Sequence, residues 1–267
     1  MSPELAGLLA AGSVGALGVG AMAGWSIFRP PRLEGIPVLR YRIVGPALAG
    51  SPLNEVRVPV SRFAPQIRYI ARRGFRAVTL SEAVARLQDR SFLATNPIVL
   101  CFDGPYRSFI KHAWPIMRSH GLAAATLFFP PNRLGETHLA FKRGRPEPVL
   151  SLEELAGLAR EGVELGVQAS AGDDLPREKI TSDLAAARKA MSALSEHEVD
   201  ALTLNFTTKR AVRAAIDAGY RVVAAIGDGV ISDPSEAAAV PRFPIMPDTT
   251  LLDVALVISR RYEGAIW

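Results

Sequence analysis

Asp103 stands at the end of a short apolar run, Ile98–Phe102, immediately before a Gly-Pro pair. A lone carboxylate there could act as a general base, worth roughly 10²–10⁴-fold in rate, but by itself it leaves a developing oxyanion unstabilised. The other reading, which we prefer, is structural: an acid whose hydrogen bonds hold the loop after the strand. Imidazoles are few. His112 and His120 are spaced about two helical turns apart and are expected to be solvated rather than to rebuild a metal site, and His138 and His197 lie farther along the chain. Asp173 and Asp174 are expected to cap the turn into the next helix, with a part in an altered site beside Asp103 as the alternative. Cys101 is the one cysteine, which excludes an intrachain disulfide and fits either redox compartment.

The elements that would position these groups are legible around Asp103. Ile98–Phe102 is too short for a helix and reads as a buried strand. Tyr106–His120 carries apolar residues at Phe109, Ile110, Ala113, Ile116 and Met117, a helical stripe closed by Gly121, and Ala123–Phe129 resumes as a strand. This is one βαβ unit, and Asp103 sits at the carboxyl end of its first strand, where parallel α/β folds place chemistry. Farther on, Ser151–Glu161 opens like a capping box, with Ser151 at the cap and Glu154 three residues on. Thr181–Leu194 and Lys209–Ala218 read as amphipathic helices, and Tyr220–Ile226 as a strand.

The stretch PIVLCFDGPYRSFIKHAWPIMRSHGLAAATLFF, residues 97–129, resembles the first catalytic motif of the polysaccharide deacetylases, the NodB-homology group, whose usual wording is close to TFDDGY, then A-x-P-I-L and G-x-x-A-T-F-F. IPVLRYRIV at Ile36–Val44 resembles the family's opening strand, and RFAPQIRYIARRGFRAVTLSEAVARL at Arg62–Leu87 its first helix-strand-helix passage. RGRPEPVLSLEELAGLAREGVELGVQ, RAAIDAGYRVVAA and VPRFPI also have counterparts, so the likeness covers roughly Ile36–Pro247, in order. It implies an α/β fold, a distorted (β/α) barrel of the NodB type, over 33–267.

The resemblance also implies a site: an aspartate as general base, and a second aspartate with two histidines holding a divalent metal that polarises the acetamide carbonyl and its attacking water. In this sequence Asp103 falls on the base position. The three metal-ligand positions fall on Gly104, Gln168 and Gly172, because the H-T-x-x-H loop aligns with Gln168-Ala169-Ser170-Ala171-Gly172. The third motif, usually R-x-P-Y-G, aligns near Leu204-Asn205-Phe206-Thr207, and the early Y-H is Tyr41-Arg42. Zinc and similar ions require imidazole or anionic ligands, typically three from the protein with an open position for water. Glycine offers no side chain and a carboxamide is a weak neutral donor, so nothing local would lower the pKa of a bound water. No metal or other cofactor is expected.

The chain opens with an uncharged segment, Leu5–Phe28, close to the ~20 residues that cross a bilayer as a helix. Its amino-terminal flank carries only Glu4, unlike a cleaved signal, so a retained membrane anchor over 1–32 is expected. Gly12, Gly20 and Gly24 give a small-residue face suited to close approach by another membrane helix. Trp25 would sit at the interface, and Pro30, Pro31 and Pro37 bracket the junction with the domain. Arg29 and Arg32 favour a cytoplasmic domain by flanking charge, whereas the resemblance favours the outside, and the side stays open.

A net charge of +5, spread over scattered arginines and with 7% aromatics, argues against nucleic acid as a partner and fits attraction to an anionic membrane lipid surface. The reading that follows is a membrane-anchored, catalytically inactive deacetylase-like accessory or scaffold subunit of a membrane or envelope complex, its partner meeting the glycine-rich span. Two alternatives stand beside it: a working N-acetyl sugar deacetylase with an altered site, and a non-catalytic module that binds glycan.

Overall fold

The protein is described by a computed structural model over residues 35–141, 144–170, 175–205 and 208–259. Apolar runs bounded by turn residues become strands. Nine of these form the main sheet among the described residues: β1 (Ile36–Tyr41), β2 (Arg76–Val78), β3 (Pro97–Asp103), β4 (Ala125–Phe129), β5 (Val163–Ala169), β6 (Ala201–Leu204), β7 (Val222–Ala224), β8 (Val230–Ile231) and β9 (Phe243–Pro244). The order is β7-β6-β5-β4-β3-β1-β8, with β2 also bonded to β3 and β9 to β1. All these pairings are parallel except β1 with β8. Helices surround it, among them α1 (Val60–Arg72), α2 (Leu80–Ala85), α3 (Trp114–Ser119), α4 (Leu152–Arg160), α5 (Arg177–Ser195), α6 (Lys209–Asp217) and α7 (Leu251–Ile258).

The sheet curls because one segment bonds both of its far regions. Val240 bridges to Ala224 at the end of β7, Ala225 donates to the Val240 carbonyl at 2.8 Å, and three residues on Phe243 pairs with Leu39 of β1. The result is an α/β curled-sheet half-barrel, the coarse form of the distorted barrel expected from the sequence. Strand alternation then sorts the side chains. Leu39, Tyr41, Leu100, Phe102, Leu127, Leu165 and Leu202 pack outward against the helices, joined by Phe63 and Ile67 of α1 and Leu184 of α5. Val38, Val99, Cys101, Phe128, Ala201 and Ala224 form a second, inner cluster, closed at one end by Leu80 and Ala83 of α2. By the same alternation Arg40, Asp103, Gln168 and Thr203 belong to the inner face, one register step beyond these apolar residues.

Three elements differ from expectation. The helix after Asp103 begins as a π-turn, Phe109–Ala113, and becomes regular only over α3. Pro115, at the start of α3, has no N–H to give the residue four places earlier, which accounts for the looser turn ahead of it. β7 stops at Ala224 rather than Ile226, because Ala225 turns to bond Val240. The helix expected over Thr181–Leu194 extends to Arg177–Ser195. The capping box at Ser151 is present, each partner accepting from the other's backbone N–H. No helix among the described residues is long and apolar enough to cross a membrane, and the expected span Leu5–Phe28 lies outside the described residues.

Candidate functional site

The carboxyl ends of the inner-facing strands open into a cleft of about 850 Å³. β3 delivers Asp103 to its floor, β1 delivers Arg40, and Arg42 lines the cleft from the bend just after β1. Gln168 comes from β5, Thr203 from β6, and Asn205 and Thr208 from the segment after β6. Arg242 enters just ahead of β9, the strand that bonds β1.

Asp103 is 2% exposed, and both of its oxygens are taken. Arg242 Nη1 donates to Oδ1 at 2.6 Å and Nη2 to Oδ2 at 3.1 Å, a bidentate pair, while Arg40 Nε donates to Oδ2 at 2.5 Å. Arg242, 1% exposed, is itself held on every side. Its Nη2 also donates to Thr203 Oγ1 at 2.8 Å, its Nε to the Ala225 carbonyl at 3.1 Å, and its guanidinium lies 4.9 Å from the centre of the Phe128 ring. Burial alone would push the Asp103 carboxyl up. The charges of Arg242 and then Arg40 outweigh it and hold the group below the ordinary carboxylate range. A base so weakened, with its lone pairs engaged, is poorly placed to take a proton from water.

This corrects the sequence reading of Asp103. The acid does not hold the loop after its strand. It ties β3 to β1 and to the residue before β9, while the loop is held by the Gly104 N–H donating to the Phe128 carbonyl at 2.9 Å. Sequence reasoning also missed Arg40, Arg242 and Thr203. Arg40 breaks the apolar run of IPVLRY, and an arginine inside a buried strand requires a partner, so the signal was available.

The four histidines do not line this cleft. His112 lines a different cavity with Arg57, Lys111 and Glu147, and its pKa is pushed down by partial burial first and by the charges of Lys111 and Arg57 after that. His120, His138 and His197 are exposed. Gly172, Asp173 and Asp174 lie outside the described residues, as do Phe206 and Thr207 of the third motif. Cys101 is buried, and its thiol is pushed up to about 12 chiefly by burial, so it stays protonated.

No protein-family model matches the chain. A curated relative is YxkH of Bacillus subtilis (strain 168), assigned by name to the polysaccharide deacetylases, 20% identical over 210 residues, 76% of this chain and 66% of that one. The match thus spans slightly less than two thirds of that relative. The Streptococcus pyogenes deacetylase PplD, solved in complex with acetate, superposes with a TM-score of 0.72 at 16% identity, covering 84% of this chain and 98% of that one. A polysaccharide deacetylase from Bacillus cereus gives 0.68 at 17% identity over 84% and 69% of the two chains, and IcaB from Ammonifex degensii 0.69 at 19% over 85% and 97%. The fold is that of the polysaccharide deacetylases.

The metal that this resemblance implies does not fit the residues present. Among the described residues no group of three or more His, Cys, Asp or Glu side chains could hold an ion. At Gly104 the mismatch is steric as well as chemical. The backbone there has φ +120°, and a Cβ would fall 2.4 Å from Cε2 of Tyr106. The Tyr106 ring therefore fills the space from which a ligand aspartate would reach. Gln168 supplies only a carboxamide, and its Oε1 is buried without a hydrogen-bond partner.

Proposed function

We propose that this chain is a deacetylase-fold protein that has given up hydrolysis and serves as a membrane-anchored accessory subunit of a membrane or envelope complex. The carrying observation is the double engagement of Asp103. The family's base position is clamped by Arg242 and Arg40, beside a Tyr106 ring that occupies the neighbouring ligand position. Amide hydrolysis at neutral pH needs an activated water and a stabilised oxyanion. In this cleft the expected ligand positions hold a glycine and a carboxamide, while arginines occupy the base. The uncharged segment Leu5–Phe28 and its glycine face support the anchoring and assembly parts of the reading.

The test is acetate release. The full chain, purified in mild detergent and supplied with zinc or cobalt, is incubated with N-acetylated chitooligosaccharides and peptidoglycan. No release above the buffer control is expected. Release that depends on added metal and disappears with a chelator would restore the hydrolase reading.

A further inference from the structure

The arginines that displace the family's chemistry leave the cleft with a charge excess. Among the described residues its lining contains Arg40, Arg42 and Arg242 against a single carboxylate, Asp103. Arg242 and Arg40 share Asp103, so one negative charge answers two positive ones. Among the described residues Arg42 has no ion pair, and its Nε is shielded from solvent without a hydrogen-bond partner. An anion in the cleft would be held by the other guanidinium nitrogens of Arg42. Arg40 on β1 and Arg42 in the bend just after it both line the cleft, so two guanidiniums are available to one planar anion. The second orphan has the opposite polarity. Gln168 lines the same cleft, its Oε1 has no donor among the described residues, and turning the carboxamide would present that oxygen to a hydroxyl. Ile226, 59% exposed, adds an apolar surface to the lining. The occupant that meets all three demands carries a carboxylate for Arg42, a hydroxyl donor for Gln168, and a ring face for Ile226.

We propose that this cleft binds the carboxylate-bearing sugar of an acidic glycan, a uronic acid, through Arg42 and Arg40. The inference deepens the non-hydrolytic reading and rests on its claim that arginines, rather than a metal, govern the cleft. Arg42 serves as the primary anchor because it is unpaired, and Arg40 contributes the guanidinium nitrogens that Asp103 leaves free. Asn205, which also lines the cleft, donates to Ser170 Oγ at 2.6 Å.

Titration calorimetry on the full chain in mild detergent tests this. The probes are a glucuronate-containing disaccharide, the same disaccharide reduced at its carboxylate to the neutral alcohol, and inorganic phosphate. The acidic disaccharide is expected to bind with an affinity that falls as salt rises. The neutral counterpart and the Arg42→Gln variant are each expected to bind at least about tenfold more weakly. Arg42→Gln breaks no ion pair among the described residues, so its melting curve should match that of the parent. Gln168→Ala, as a second variant, should weaken the disaccharide while leaving phosphate unchanged. Equal affinity for the acidic and neutral sugars, no binding of either, an unaffected Arg42→Gln, or binding of phosphate alone would overturn the proposal. Failure here leaves the acetate-release result standing, and metal-dependent acetate release would remove the functional reading whatever the titration shows.

Discussion

At the scale of residues, the account turns on Asp103 as a clamp rather than a catalyst. Breaking a buried ion pair by removing one partner is strongly destabilising because the other charge remains desolvated. Asp103→Asn should therefore cost about 3–5 kcal/mol in urea-induced unfolding, since it strands Arg242, 1% exposed, without its counterion. A residue kept only for catalysis would change stability little. The pH dependence has a definite sign. The folded carboxyl titrates below the ordinary range, whereas in the unfolded chain it titrates near the usual value of about 4. Its contribution is therefore complete above that unfolded value and is lost as pH falls through the lower folded one. Unfolding free energy measured from neutral pH downward should hold until about pH 4 and then decline. In Asp103→Asn that decline should be shallower, and an identical acid limb in the two proteins would contradict the clamp.

At the scale of elements, the clamp depends on residues that never touch it. Gly166 of β5 pairs with Phe128 of β4, and a Cβ at 166 would meet Cδ1 of that ring at 2.6 Å and the Ala201 carbonyl at 3.1 Å. Phe128 is the ring on which Arg242 lies, and Arg242 holds Asp103. Gly166→Ala is thus an overpacking change in the middle of the sheet, expected to cost about 1–3 kcal/mol by denaturant unfolding. Unchanged stability would show that the ring has room to move. Much of this architecture was legible in advance, for stated reasons. The βαβ unit around Asp103 and the capping box at Ser151 follow from local patterns of period 2, period 3.6 and cap chemistry, which a sequence displays directly. The clamp itself was not legible. Arg40, Asp103 and Arg242 are far apart in the chain and meet only because the segment 240–244 bonds both β7 and β1. The Tyr106 ring against Gly104 was equally hidden, since a steric exclusion is a property of the folded loop rather than of the residue types.

At the scale of the whole molecule, the described residues form a deacetylase half-barrel that has a glycine and a carboxamide where the resemblance implies ligands and arginines clamped on the base position. The retained grammar of strand, helix and turn fits a surface still in use. The glycine face at Gly12, Gly20 and Gly24 supplies the assembly part of the proposal, because close backbone approach drives helix association where no hydrophobic effect operates. Gly20→Leu combined with Gly24→Leu should release the full chain from a larger detergent-solubilised complex, as read by native gel migration. Migration of the parent protein as a lone monomer would argue against the subunit reading. The central claim, that arginines and a tyrosine ring have replaced the metal chemistry, is tested most directly by elemental analysis of the full chain after purification in metal-replete medium. The account predicts divalent metal far below one ion per chain. A content of about one zinc, cobalt or nickel per chain, removable by chelator, would contradict it.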